Sequence, residues 1–223
     1  MIKIHAIVYD VDGTLINSEP LHVEAWKQTL INQGHAISEL SVGFLGTMAG
    51  KKPIAIAEGM VTELNINTSA EQFLNEKTDL FFSMAHESLE AMPGAIESVE
   101  RLSTVGFRLA IGTSLDRGFL DAVLNKFNIA DMFEVIVTGD EITKGKPDPE
   151  TYFKVFEKLN LEPSSCVVLE DARSGVEAAK ASGALCIAVE NVGAEPQDLS
   201  SADLIVQSLN TIDEKIIMTL QEN

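Results

Sequence analysis

The chain has 223 residues, of which 45% are hydrophobic, and this is enough for one hydrophobic core with a smaller inserted domain. Its formal net charge of −18 at pH 7 repels the phosphate backbone of nucleic acids and the anionic surface of membranes, so neither is an expected partner. A small anionic substrate remains compatible with this charge, because a bound cation or a local positive pocket reverses the field that the substrate meets.

The first residues and the cysteines predict the compartment. The opening segment, MIKIHAIVYD, reaches an acidic turn too early to contain the apolar core of a signal peptide. No apolar run approaches the roughly 20 residues of a membrane span. Cys166 and Cys186 lie inside apolar runs, which predicts buried, reduced thiols. We therefore expect a cytoplasmic protein.

The first predicted strand covers residues 4–9, and a long helical segment follows it. Residues 15–91 contain no convincing strand and show helical periodicity instead, which predicts an inserted helical cap domain. The core domain is then discontinuous, comprising residues 1–14 and 92–223, and the two chain crossings form a natural hinge for a lid. The predicted helices of the insertion are 20–33, 51–64 and 69–90.

Beyond the insertion, apolar runs alternate with helical segments. These runs lack polar alternation, so they predict strands that are covered on both faces. The alternation indicates right-handed crossovers and therefore an α/β fold with a doubly wound, Rossmann-like parallel sheet. The predicted strands are 107–112, 134–137, 165–169, 184–189 and 203–206, and the predicted helices are 94–104, 116–127, 149–159, 173–182 and 208–220.

Two carboxylates, Asp10 and Asp12, follow the first strand directly in the segment DVDGT. Open α/β sheets place their ligands at the carboxyl ends of the strands. Two such carboxylates can divide covalent catalysis, since one attacks while the other exchanges protons with the leaving group and with water. A polar turn after a strand is the alternative interpretation of this segment.

Polar side chains also follow three later strands. Thr113 and Ser114 can donate hydrogen bonds to a phosphoryl oxygen, or they can simply cap a helix. Lys146 supplies a positive charge, or is a solvated loop residue. Glu170 and Asp171 offer the oxygen ligands that a hard cation prefers, although acidic residues also favour helix starts. Four groups with complementary chemistry thus occur in order at successive strand ends.

These four segments resemble the motifs of the haloacid dehalogenase-like superfamily. The matching residues are DVDGT, TS at 113–114, Lys146 before PDP, and ED at 170–171. The resemblance spans essentially the whole chain. It is closest to the subgroup with a helical cap after the first motif, which contains β-phosphoglucomutases and sugar, polyol and phosphoglycolate phosphatases.

The resemblance implies Mg²⁺-dependent phosphoryl transfer through an aspartyl-phosphate on Asp10. It makes Asp12 the acid/base and a metal ligand through its backbone carbonyl. Asp171, with Asp10, is implied to bind Mg²⁺ directly, while Glu170 binds the ion or orients a bound water.

The same resemblance implies that Thr113 and Lys146 hold the transferring phosphoryl group, with assistance from Ser114. A positive charge there is also required physically, because a phosphoryl group repels an incoming carboxylate. Dehalogenation is the less favoured reaction, since dehalogenases attack carbon without Mg²⁺ and lack the second Asp of the first motif.

The residues that would distinguish a phosphatase from a mutase lie in the insertion. His22 resembles a cap histidine that modulates the acid/base of the mutases, and it also fits a packing role. Ala49 stands where the mutase pattern has an Arg for the distal phosphate, although Lys51 or Lys52 could substitute. Lys77 is a further candidate substrate contact, or a solvated helix charge.

Loss of the mutase arginine favours hydrolysis of a small phosphorylated metabolite, namely a sugar phosphate, a polyol phosphate or phosphoglycolate. A β-phosphoglucomutase is the first alternative, and a catalytically idle phosphate-binding module is the second. Neither the exact substrate nor the oligomeric state follows from the sequence.

Overall fold

The computed structural model describes residues 3–48, 51–191 and 196–220. The chain forms two compact units. The α/β unit comprises Met1–Asn17 and Glu90–Asn223, and the helical unit comprises Ser18–Leu89. These divisions lie a few residues inside the boundaries of the insertion that the sequence predicts.

The strands belong to the α/β unit, and most of them are short runs of buried aliphatic residues. All four residues of the first strand are fully buried, as expected for a strand covered on both faces. In chain order the strands are β1 (Ala6–Tyr9), β2 (Ile16–Asn17), β3 (Glu90–Ala91), β4 (Arg108–Gly112), β5 (Val135–Val137), β6 (Cys166–Glu170), β7 (Leu185–Val189) and β8 (Leu204–Val206).

The helices lie in both units, and short 3₁₀ turns occur between several of them. In chain order the helices are α1 (Glu19–Asn32), α2 (Val42–Leu45), α3 (Pro53–Glu63), α4 (Ala70–Ser88), α5 (Ala95–Thr104), α6 (Arg117–Phe127), α7 (Glu150–Leu159), α8 (Arg173–Ala181) and α9 (Glu214–Thr219).

Among the described residues, six strands form one parallel sheet in the order β5-β4-β1-β6-β7-β8. β1 lies at its centre, where Tyr9 pairs with Ile111 of β4 on one side and with Leu169 of β6 on the other. The residues that follow β1, β4 and β6 therefore meet at one edge of the sheet. This topology confirms the predicted doubly wound α/β fold.

The core of the α/β unit contains both cysteines. Cys166 and Cys186 are free and fully buried, and burial raises the pKa of both thiols. The prediction of buried core thiols is confirmed.

The helical unit has a core of its own. Trp26 and Leu30 of α1 pack with Met60 of α3 and Phe73 of α4. None of the described helices in either unit combines the length and the apolarity that crossing a membrane requires.

Two predictions of secondary structure are wrong. Residues 15–91 do contain strand structure at their ends, because β2 and β3 pair antiparallel; each has only two residues, too few to show a pattern. The single helix predicted over 208–220 is divided into the 3₁₀ turn Leu209–Thr211 and α9. Asp213 accounts for the second start, since its side chain accepts a hydrogen bond from the Ile216 amide and caps α9.

Candidate active site

Asp10 lies directly beyond the central strand β1, and its backbone amide continues the ladder by donating to the Leu169 carbonyl at 3.0 Å. Asp10 is only 6% exposed. Burial raises the pKa of Asp10 well above its usual range, and this effect outweighs the opposing influence of Lys146. A buried carboxylate at this position therefore depends on nearby positive charge.

Lys146 provides that charge. Its Nζ donates to Asp10 Oδ1 at 2.5 Å, to Glu170 Oε1 at 2.6 Å and to the Gly112 carbonyl at 3.2 Å. Burial by itself lowers the pKa of Lys146, but the two carboxylates outweigh this and leave the pKa raised. The Lys146 side chain, which is 9% exposed, therefore places an ammonium between the ends of three neighbouring strands.

Asp10, Glu170 and Asp171 form the acidic cluster, in which one carboxylate oxygen from each residue lies within 4.8 Å of the others. Burial, followed by the charge of Glu170, raises the pKa of Asp171 to about 7. When all three carboxylates are ionised, their negative charge exceeds the positive charge of the one ammonium beside them. Because hard divalent cations prefer such oxygen ligands, the donor set fits a divalent metal ion.

The turn after β1 is shaped around this cluster. Gly13 has φ of +83°, and a Cβ atom at this position would lie 2.0 Å from Asp171 Oδ2. Thr14 Oγ1 donates to Asp171 Oδ1 at 3.4 Å. The DVDGT turn thus makes room for the Asp171 carboxylate and orients it, in addition to carrying Asp10 and Asp12.

The predicted residues of the α/β unit share one open cavity of about 250 Å³. Thr113 is buried, and its Oγ1 accepts a hydrogen bond from the Leu115 amide at 3.2 Å, which leaves the hydroxyl proton able to donate into the cavity. Ser114 is exposed at the cavity wall. The predicted residues that line it are Asp10, Asp12, Thr113, Ser114, Lys146, Glu170 and Asp171.

The structure adds residues that the sequence analysis missed. Tyr152 of α7 is fully buried and donates from its hydroxyl to Glu170 Oε1 at 2.7 Å. Asn191, which follows β7, donates from Nδ2 to Asp171 Oδ2 at 3.4 Å. Asn191 carried the same signal as the other site residues, a polar side chain at a strand end, whereas Tyr152 fits the apolar face of a helix.

His22 and Lys77 lie in the helical unit, where they contact each other. Lys77 Nζ is 2.6 Å from His22 Nδ1, and since lysine only donates, Nδ1 is the acceptor. The imidazole stacks on Phe81 with 3.9 Å between ring centroids, and Lys77 Nζ lies 5.3 Å from the centroid of Trp26.

The alternative of a solvated helix charge for Lys77 is wrong, because the residue is only 5% exposed. The rings of Trp26 and Phe81 lie close to its ammonium and attract its charge. Substrate contact by His22 and Lys77 stays a prediction. Ala49 lies outside the described residues.

Known proteins resemble this chain along most of its length. Residues 7–189 match the family described as haloacid dehalogenase-like hydrolase. A phosphorylated carbohydrates phosphatase from Thermotoga maritima is 34% identical over 80% of this chain and 81% of its own length. Hexitol phosphatase A from Escherichia coli is 33% identical over 97% of this chain and 94% of its own length.

A solved structure shows the same architecture. A HAD hydrolase of family IA, variant 3, from Entamoeba histolytica aligns with a TM-score of 0.81 and 27% identity. The alignment covers 99% of this chain and 100% of the other chain. The family match, the two relatives and the convergence of the four motifs at one sheet edge agree with one another. The chain belongs to the haloacid dehalogenase-like hydrolase family.

Proposed function

We propose that this protein is a Mg²⁺-dependent phosphatase that hydrolyses a small phosphate monoester through an aspartyl-phosphate on Asp10. The observation that carries the proposal is the 2.5 Å contact between Asp10 Oδ1 and Lys146 Nζ inside the acidic cluster. The names of the two relatives, a carbohydrate phosphatase and a hexitol phosphatase, support a sugar or polyol phosphate as the substrate class.

Asp10, Asp171 and Glu170 would hold Mg²⁺, together with the backbone carbonyl of Asp12. When bound, the ion supplies positive charge that offsets the repulsion between the Asp10 carboxylate and the phosphoryl oxygens. The donor set supports this assignment because its oxygen atoms are grouped closely and Gly13 leaves space for Asp171.

In the first step, a carboxylate oxygen of Asp10 attacks phosphorus, and the bond from phosphorus to the ester oxygen breaks. Asp12 gives its proton to the departing alkoxide, so the alcohol leaves neutral. Lys146 and the hydroxyl of Thr113 hold the phosphoryl oxygens, with Ser114 at the outer wall. These fixed donors stabilise the charge that spreads over the phosphoryl group during transfer.

In the second step, Asp12 takes a proton from a water molecule, which attacks phosphorus of the aspartyl-phosphate. The acyl-phosphate bond breaks, inorganic phosphate leaves and the Asp10 carboxylate is restored. Asp12 is protonated again and ready for the next substrate, so the protons balance over the two steps.

A β-phosphoglucomutase remains the second candidate, because His22 resembles the mutase cap histidine and contacts Lys77 directly. A mutase must also grip a distal phosphate, and Ala49 removes the arginine that the mutase pattern provides. Lys51 is a weaker substitute, since its Nζ already donates to Thr47 Oγ1 at 2.9 Å. We therefore favour hydrolysis.

A panel of phosphorylated metabolites separates the candidates. We expect Mg²⁺-dependent release of inorganic phosphate from sugar or polyol phosphates, and no turnover after chelation with EDTA. Conversion of β-glucose 1-phosphate to glucose 6-phosphate, with a trace of bisphosphate present, would instead establish the mutase. No turnover by the wild type on the panel or on p-nitrophenyl phosphate would favour the idle phosphate-binding module.

A further inference from the structure

Tyr152 is a buried polar side chain that touches the acidic cluster and has no role in the proposed reaction. It lies on α7 with no exposed surface, and its hydroxyl donates to Glu170 Oε1 at 2.7 Å. An apolar side chain of the same shape would satisfy the packing of α7 on the sheet equally well. The hydroxyl therefore calls for a separate explanation.

Glu170 is held at both of its carboxylate oxygens. Oε2 accepts from the backbone amides of Asp171 at 3.1 Å and Ala172 at 3.2 Å. Oε1 accepts from Lys146 Nζ at 2.6 Å and from the Tyr152 hydroxyl. The two amides hold only Oε2. Lys146 and Tyr152 together hold Oε1, and this fixes the rotation of the carboxylate group.

Space beside Glu170 is also limited. A Cβ atom at Gly175, in the first turn of α8, would lie 1.8 Å from Glu170 Oε1. The carboxylate is thus enclosed between α8 and the Tyr152 hydroxyl of α7. Among the described residues, the donors to Glu170 Oε1 are the Tyr152 hydroxyl and Lys146 Nζ. Without the hydroxyl, Oε1 would keep only the hydrogen bond from Lys146.

Tyr152 also contacts Lys146 through its ring. Lys146 Nζ lies 5.0 Å from the ring centroid, a cation–π distance. The ring packs closely on Gly112, where a Cβ atom would be 3.1 Å from a ring carbon. Phenylalanine at position 152 would keep both of these contacts and lose only the hydrogen bond to Glu170.

We propose that Tyr152 is a positioning residue that fixes the Glu170 carboxylate for the divalent cation and for Lys146. The hydroxyl shares Oε1 with Lys146, so the ammonium keeps its bond to Asp10 rather than being drawn wholly to Glu170. The expected effect on catalysis rests on the proposed function, whereas the expected effect on cation binding concerns only the acidic cluster.

The test compares Tyr152→Phe with Tyr9→Phe. Tyr9 is a matched control, since it is also fully buried and its hydroxyl bonds Ser98 Oγ at 3.2 Å, outside the acidic cluster. Mn²⁺ affinity is measured by electron paramagnetic resonance without substrate, alongside thermal unfolding and the kcat and KM for p-nitrophenyl phosphate. Y152F is expected to weaken Mn²⁺ binding by about tenfold.

With saturating Mg²⁺, kcat of Y152F is expected to fall while KM stays near the wild-type value, because Glu170 positions the divalent cation and Lys146 and does not contact the leaving group. Y9F should lose thermal stability and keep wild-type Mn²⁺ affinity. Equal Mn²⁺ affinity in Y152F and the wild type would overturn the inference. So would an equal loss in both variants, which would indicate general loosening of the core.

A double-mutant cycle with Glu170→Gln shows whether Tyr152 acts through Glu170. If it does, Y152F/E170Q binds Mn²⁺ no more weakly than E170Q alone, whereas independent effects would add. Additive losses would contradict the inference. Because Mn²⁺ binding is measured without substrate, a wild-type protein that binds Mn²⁺ and hydrolyses nothing would refute the proposed function while leaving the role of Tyr152 tested.

Discussion

The acidic cluster of the α/β unit and the His22–Lys77 pair of the helical unit each contain a buried ionisable side chain, but different structures hold them. In the α/β unit, Lys146 is fixed by two carboxylates and a carbonyl at the ends of neighbouring strands. In the helical unit, Lys77 is enclosed by the rings of Trp26 and Phe81 and contacts the imidazole of His22. Parallel-strand topology places the first group, whereas side-chain packing places the second.

This difference predicts unequal responses to mutation. The backbones of Asp10 and Glu170 are held by the sheet, so removing the charge that contacts them changes the chemistry and leaves these two backbones in place. A residue held by aromatic side chains has a position that depends on how those rings pack. Charge-removing substitutions should therefore cost much more activity in the α/β unit.

Lys146→Met should produce the largest effect. It removes the ammonium that contacts both Asp10 and Glu170, and loss of such a charge from a phosphoryl-transfer site costs on the order of 10²–10³-fold in kcat. Lys158→Met is the control, since it removes an exposed ion pair with Glu141, worth about 1 kcal/mol or less, and a hydrogen bond to the Ile136 carbonyl, both outside the acidic cluster. Wild-type turnover by K146M would show that the ammonium beside Asp10 is not needed for the reaction.

Gly13→Ala should have an intermediate effect. The added Cβ would meet Asp171 Oδ2, so we expect the half-saturating Mg²⁺ concentration to rise about tenfold or more. Gly34→Ala is matched in backbone strain, since Gly34 has the same φ of +83° and meets nothing within 4 Å among the described residues. Gly34→Ala should lose about 1 kcal/mol of stability through its backbone conformation, and Gly13→Ala should lose this amount plus the cost of displacing the Asp171 carboxylate. An identical Mg²⁺ requirement in both would show that Gly13 matters only for its conformation.

Lys77→Met should have the smallest effect of the three substitutions. Methionine can keep the contact with the rings of Trp26 and Phe81 while losing the charge. If Lys77 contacts substrate, KM for a sugar phosphate should rise about tenfold, as for a lost charged hydrogen bond, with little change in thermal unfolding. Lys27→Met, which removes an exposed partner of Glu24, is the control. An unchanged KM in K77M would restrict Lys77 to packing.

The parallel sheet and most of the candidate site could be predicted because both depend on order along the chain. Each long apolar run forms a strand, and the polar residues that follow β1, β4 and β6 share one sheet edge. Asp10, Thr113, Glu170 and Asp171 follow from this logic without any knowledge of side-chain packing. The resemblance added their roles, which strand order alone does not supply.

Tyr152 and Lys77 could not be predicted in the same way. Tyr152 occupies the buried face of α7, where an aromatic residue needs no further explanation until the position of Glu170 is known. Lys77 lies in a helix whose polar residues are mostly exposed, and only the packing of Trp26 and Phe81 shows that it is buried. Contacts between side chains distant in sequence leave no periodic signal.

The proposed reaction requires a phosphate bound covalently to Asp10, and this intermediate can be detected. Acid quenching of the enzyme during turnover, followed by peptide mass spectrometry, should reveal a hydroxylamine-sensitive phosphate on the peptide that contains Asp10. Asp10→Asn should show neither this adduct nor turnover, while Asp121→Asn, on the surface of α6, should show both. Phosphate release by D10N at the wild-type rate would contradict Asp10 as the nucleophile.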